Sequence, residues 1–143
     1  MTDRPSVLFV CVKNGGKSQM AGALMRLEAG DAVEVHTAGT KPGSSLNAQS
    51  VEALVEVGAD VDREFAKAID PELLARVDRV VVLGSEAVVD RVPGMRAEIE
   101  TWETGEPSSR GIEGMGRMRL VRDDIRARVL RLRSELDQQG VQQ

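Results

Sequence analysis

Five residues separate Cys11 from the pair Lys17-Ser18, and the stretch between them, Val12-Lys13-Asn14-Gly15-Gly16, ends in two glycines. A sulfur nucleophile at the start of a glycine-containing turn, followed by a cation and a hydroxyl, suits attack by a thiolate on a bound oxyanion. The apolar run Val7-Leu8-Phe9-Val10 reads as a strand buried on both faces of a parallel sheet. Beyond the turn, Met20, Ala23, Leu24 and Leu27 fall at helical spacing. Cys11 is therefore expected at the C-terminal end of a strand, facing a helix N-terminus. A loop in that position turns consecutive N–H groups inward, and the helix dipole adds roughly half a positive charge, so a bound oxyanion is favoured and a thiolate is favoured over a thiol. The expected oxyanion-binding residues are Val12, Lys13, Asn14, Gly15, Gly16, Lys17 and Ser18.

The nucleotide-binding pattern G-x-x-x-x-G-K-[ST] does not fit, because the frame ending Gly16-Lys17-Ser18 needs a glycine where Cys11 stands. The segment from Val7 to Ala21 instead resembles the low-molecular-weight protein tyrosine phosphatase superfamily, whose signature is Cys-x5-Arg-Ser on the same strand, loop and helix. Within it, the arsenate reductase branch is the most similar. His36-Thr37-Ala38-Gly39-Thr40 is similar to the family's Ser-Ala-Gly-Thr strand end, and Asp78-Arg79-Val80-Val81-Val82-Leu83-Gly84 to its third strand. The resemblance runs over nearly the whole chain. It implies one α/β domain spanning 1–143, with a four-stranded parallel sheet in the order 2-1-3-4 and helices on both faces.

Departures from the family pattern narrow the activity. The loop arginine is Lys17 here, a point charge that lacks the planar fork with which arginine grips a tetrahedral oxyanion. Members directed at protein tyrosine carry tyrosines beside the acid loop, and this chain has no tyrosine. The family's general acid is the aspartate of an Asp-Pro pair, and Glu106-Pro107 stands in its place. Thioredoxin-coupled arsenate reductases use two further cysteines just after the third strand; here that segment reads Gly84-Ser85-Glu86-Ala87-Val88-Val89, and Cys11 is the sole cysteine. Any redox turnover must then borrow an external thiol.

Lys17, a single Cys11 and Glu106-Pro107 together resemble the arsenate-mycothiol transferases of actinobacteria. That resemblance implies arsenate as substrate, with phosphate or sulfate as mimics, mycothiol as cosubstrate and mycoredoxin acting downstream. It implies no bound cofactor, no metal and no nucleic-acid or membrane partner. Cys11, Lys17, Ser18 and Glu106 are then the expected catalytic residues: Glu106 protonates a leaving oxygen so that sulfur displaces hydroxide at arsenic, and Ser18 donates to the Cys11 sulfur. Asn14 holds the loop in shape, and Arg110 is a candidate to add charge beside Lys17 or to bind the polar groups of a thiol cosubstrate. Two other activities stay open: a phosphomonoesterase and a non-catalytic oxyanion-binding module.

The elements that must position these groups can be read in turn. The 143 residues suit one core, which must be aliphatic because only 2% are aromatic. With no long apolar stretch, no signal-peptide pattern and one unpaired cysteine, a cytoplasmic location is expected. Val33, Val35 and Thr37 alternate with Glu34 and His36, as in an edge strand with one exposed face. His36, the only histidine, is expected to serve as a surface hydrogen-bonding group. Ser44 or Ser45 is expected to cap a helix carrying Val51, Leu54 and Val55 and stopped by Gly58. Asp70 and Pro71 start a further helix, Val80–Leu83 and Ile99–Trp102 read as strands, and Glu86–Asp90 as a short helix. Residues 105–116 read as a flexible loop carrying Glu106, a lid over the oxyanion. The net charge of −4 divides into −7 over residues 1–116 and +3 over 117–143. Seven arginines in that tail look like a nucleic-acid stripe, but Met118, Val121, Ile125, Val129, Leu132 and Leu136 step along one helix face, with the arginines solvating the others. Asp123 and Asp124 are expected near that helix's start, where the dipole favours them.

Overall fold

A computed structural model describes residues 4–61, 64–104, 111 and 113–141 of the chain. Strands β1 (Ser6–Cys11), β2 (Glu34–Gly39), β3 (Arg79–Leu83) and β4 (Ile99–Trp102) form one parallel sheet in the order β2-β1-β3-β4. Helices α1 (Lys17–Ala29), α2 (Ala48–Glu56), α3 (Pro71–Arg76) and α4 (Gly114–Val141) lie against it. The expected strand order and the expected edge position of β2 are both found.

Every residue of β1 is buried, which is why its sequence shows no polar alternation. Val7, Phe9 and Cys11 join a core with α1, α2 and α4, while Leu8 and Val10 face Leu74, Val77, Ala87 and Ala97 on the other side. Helices thus cover both faces, α3 on the second. Met118, Val121, Ile125, Val129, Leu132 and Leu136 of α4 all enter the first core, as their spacing predicts. The tail arginines do not all solvate the helix: Arg122 is buried and bonds the Ala53 carbonyl and Glu56.

Several local expectations are corrected. Leu27 is 40% exposed, because α1 from Ser18 to Met25 is enclosed on nearly all sides and its contact face is not a simple stripe. Gly22 makes the closest approach to the sheet; a Cβ there would stand 2.5 Å from Thr37 Cγ2. The cap of α2 is Asn47 rather than Ser44 or Ser45, its Oδ1 accepting the Ser50 N–H at 2.9 Å. The buried face of α2 is Ser50, Ala53 and Leu54, and Val55 is 65% exposed. Residues 86–90 form no helix; they run as irregular chain that presses Ala87 into the second core. Helix α4 begins at Gly114, so Asp123 and Asp124 sit in its third turn, where they pair with Arg122 and Arg128.

Other signals are met. Asp70 caps α3 with Pro71 in its first turn, and Gly58 and Gly84 take positive φ at the ends of their elements. His36 Nε2 lies 2.7 Å from Glu34 Oε2, and Arg76 donates to the same oxygen. The His36 bond and the Arg76 guanidinium hold the Glu34 carboxyl below the usual carboxylate range. No described helix is long and apolar enough to cross a membrane.

Candidate active site

The loop between β1 and α1 is shaped by what its carbonyls bind. Thr40 N–H donates to the Cys11 carbonyl at 3.0 Å, Lys41 N–H to Val12 at 2.8 Å, Gly43 N–H to Lys13 at 2.9 Å and Asn47 N–H to Gly15 at 2.6 Å. Gln19 Nε2 donates to the Asn14 carbonyl at 3.1 Å, and Met20 N–H closes on Gly16 at 2.9 Å. Six successive acceptors are therefore engaged by the chain outside the loop. Its N–H groups are left for the interior, together with the first-turn donors of α1, which has no side-chain cap. Backbone donors left without a carbonyl in this way suit an oxyanion. Two glycines make the fit possible. A Cβ on Gly15 would stand 2.8 Å from the Ser45 carbonyl oxygen, and one on Gly39 would stand 2.6 Å from the Val12 carbonyl oxygen.

Cys11 lies at the base of this cradle, only 9% exposed. Its Sγ is 2.9 Å from Ser18 Oγ and receives the Asn14 N–H at 3.3 Å. Asn14 Nδ2 donates to Ser18 Oγ at 2.7 Å, which leaves the Ser18 proton free to point at sulfur. Asn14 is fully buried and holds a left-handed backbone at φ 54°, a conformation asparagine tolerates better than most residues. Its Oδ1 accepts the Lys67 N–H at 3.1 Å, tying the loop to the 64–68 segment. Gln19 Nε2 adds a bond to the Phe65 carbonyl at 3.1 Å, and Gly39 N–H one to the Lys67 carbonyl at 2.8 Å.

Cys11, Val12, Lys13, Asn14, Gly15, Gly16, Lys17 and Ser18 thus form one loop running from the end of β1 into the first turn of α1. Lys17 occupies the first position of α1, half-buried. Glu106, Pro107 and Arg110 lie outside the described residues. Of the strands, β4 ends beside the site: Leu83 of β3 pairs with Trp102, level with the end of β1, and Trp102 packs on Phe9 at 5.8 Å between ring centroids. Arg128 holds the next residue by its carbonyl, donating to Glu103 at 2.9 Å. Gln19, Lys67 and residues 40–47 are supports that the spacing did not reveal. Gln19 had a signal, as a polar residue on the enclosed part of α1; Lys67 had none, because it acts through a backbone N–H across 53 positions.

The sequence also matches a family model, that of the low molecular weight phosphotyrosine protein phosphatase, over residues 6–142. The chain belongs to that family. Among relatives of this low molecular weight phosphatase chain, the arsenate reductases of Bacillus licheniformis and Bacillus cereus are 30% and 31% identical to it, over 90% and 92% of this chain and 94% and 96% of theirs. Among solved structures, the thioredoxin-dependent arsenate reductase Cg_ArsC1' of Corynebacterium glutamicum aligns with a TM-score of 0.80 at 30% identity, covering 96% of this chain. This chain spans 64% of the length of that protein. The YwlE arginine phosphatase of Geobacillus stearothermophilus shares the fold, with a TM-score of 0.79 at 20% identity over 96% of each chain.

Proposed function

We propose that the protein is an arsenate reductase that works as an arsenate-mycothiol transferase. The observation that carries this reading is a sulfur nucleophile at the floor of an amide-lined loop in a chain with no second cysteine. The 30–31% identity to bacterial arsenate reductases supports arsenate as the oxyanion. A member that passes electrons through its own disulfide needs a partner for Cys11, and this chain supplies none. The second sulfur therefore comes from outside, with mycothiol as the thiol and mycoredoxin acting on the product.

In this mechanism the loop amides and Lys17 bind arsenate over Cys11. Glu106 protonates one oxygen, and a thiolate forms a sulfur–arsenic bond as that oxygen leaves as water. Arsenic keeps its oxidation state in this step; reduction to arsenite follows when a further thiol attacks the sulfur of the adduct. Two orders of attack fit the site. Either Cys11 bonds arsenic first and mycothiol displaces it, or Cys11 positions arsenate for direct attack by mycothiol. An arsenic adduct on Cys11 seen by mass spectrometry selects the first.

The test is arsenate-dependent NADPH consumption with mycothiol, mycoredoxin and mycothione reductase, beside an aryl-phosphate assay on the same sample. Turnover that needs mycothiol and disappears in Cys11→Ser supports the transferase. Cleavage of the aryl phosphate without arsenate turnover, strengthened by Lys17→Arg, makes the protein a phosphatase. Silence in both assays makes it a binding module.

A further inference from the structure

The chain has four lysines, Lys13, Lys17, Lys41 and Lys67, and its other basic residues are all arginine. All four lysines stand at the Cys11 loop. Lys13 and Lys17 belong to it, Lys41 donates its N–H to the Val12 carbonyl, and Lys67 donates its N–H to Asn14. Their pairing differs from that of the arginines. Among the described residues every arginine except Arg131 engages a partner, most often a carboxylate. Lys67 is likewise engaged, its Nζ bonding Thr37 Oγ1, Glu64 and the Phe65 carbonyl. Lys13, Lys17 and Lys41 have no hydrogen-bond acceptor or ion-pair partner among the described residues.

Lys17 belongs to the cradle, and Lys13 enters it through its backbone, which leaves the side chains of Lys13 and Lys41 unexplained. Both are exposed. The Lys13 stem runs beside Gly43, where a Cβ would stand 3.7 Å from Lys13 Cβ and 3.9 Å from its Cδ, and Gly43 is two residues from Lys41. The backbone bonds of Lys41 to Val12 and of Gly43 to Lys13 thus set these two lysines side by side at one rim of the loop, both exposed and neither ammonium partnered among the described residues. The molecule as a whole carries −4, so its distant field repels a dianion, and a local positive rim reverses that field within a screening length of about 8 Å. The residue type fits a site of passage. A lysine ammonium is a point charge that releases its ligand, whereas a guanidinium fork would hold a tetrahedral anion outside the cradle.

We propose that Lys13 and Lys41 form an outer anion site that captures the tetrahedral oxyanion substrate before it settles over Cys11. The proposal rests on the reading of the loop as an oxyanion cradle, and its test separates the two. Wild type, Lys41→Gln, the double variant K13Q/K41Q and Arg131→Gln are compared, the last removing one exposed charge from α4 that has no partner among the described residues. Protection of Cys11 from iodoacetamide by inorganic phosphate is measured from low to high salt, and arsenate kinetics are run on the same proteins. The double variant should need roughly 10-fold more phosphate for half-protection and lose most of the salt dependence, with Lys41→Gln between it and wild type. For arsenate, kcat/KM should fall by a similar factor, mainly through KM. Arg131→Gln should track wild type. Equal protection in wild type and the double variant overturns the outer site while leaving the cradle intact, as does an equal loss in Arg131→Gln, which would make the effect one of net charge. A wild type that phosphate does not protect at any salt refutes the cradle, and the outer site with it.

Discussion

Asn14 offers a sharp test of how the loop is held. Its side chain is fully buried, joins the Lys67 N–H to Ser18 Oγ, and sits on a residue at φ 54°. Asn14→Ala strands the Lys67 N–H, a part-buried donor whose loss of partner costs at most about 1–3 kcal/mol, and removes the donor to Ser18 for about 1 kcal/mol more. A non-glycine residue without asparagine's local bonding adds about 1 kcal/mol in the left-handed region. The sum is at most about 3–5 kcal/mol. Asn14→Gly loses the same two bonds but relieves the backbone, so it should be the more stable variant, by up to about 0.5 kcal/mol once the extra unfolded-state entropy of glycine is subtracted. Urea denaturation of both variants reads the difference directly, provided the m-values match. Phosphate protection of Cys11 should be weakened in both. Asn14→Gly less stable than Asn14→Ala, or both within 1 kcal/mol of wild type, would refute the claim that this side chain fixes the loop.

Three further outcomes follow from the geometry. Gly39→Ala forces a Cβ to within 2.6 Å of the Val12 carbonyl oxygen and 3.0 Å of Asn14, so it should abolish phosphate protection of Cys11, whereas Gly43→Ala, which meets only the Lys13 side chain and carbonyl at 3.7–3.9 Å, should leave the protein folded and protectable. Asn47→Ala removes the α2 cap and should lower stability by about 1 kcal/mol in thermal or urea unfolding. Glu56 is held near a pKa of about 2 by its bonds to Arg119 and then Arg122, against an ordinary 4.5. A carboxylate depressed on folding stabilises above its unfolded pKa, and that contribution disappears as pH falls from 4.5 through about 2. Glu56→Gln should therefore flatten the acid limb of a stability profile over that window, less so at high salt because the pair is on the surface.

The part of the fold legible in the sequence is the part governed by local pattern. The apolar run of β1, the cysteine and glycine spacing after it, the Asp70-Pro71 helix start and the Met118-to-Leu136 stripe of α4 each state their own structure within a few residues. The rest depends on distant groups. The serines at 44 and 45 are as competent to cap α2 as Asn47, but the Asn47 N–H bond to Gly15 decides where the helix begins. Residues 86–90 read as a short helix until the second core draws the segment into irregular chain. Arg122 looks like its six neighbours on α4 until α2 supplies a carbonyl and a carboxylate beside it. In the site, the nucleophile and its loop were visible because they are contiguous; Gln19, Lys67 and the 40–47 segment were not, because they act on the loop's backbone from elsewhere in the chain.

The engagement of every carbonyl from Cys11 to Gly16 has a practical consequence. The eight residues from Cys11 to Ser18 do not encode their own conformation, since four of the six tethers come from residues 40–47 and the Asn14 anchor comes from Lys67. Transplanted into another strand–helix junction, the same octapeptide would turn some of those carbonyls inward and repel the anion it now attracts. The portable unit is the octapeptide together with the exit of β2 and the 64–68 segment, and an engineer who wants this chemistry on a new scaffold must move all three.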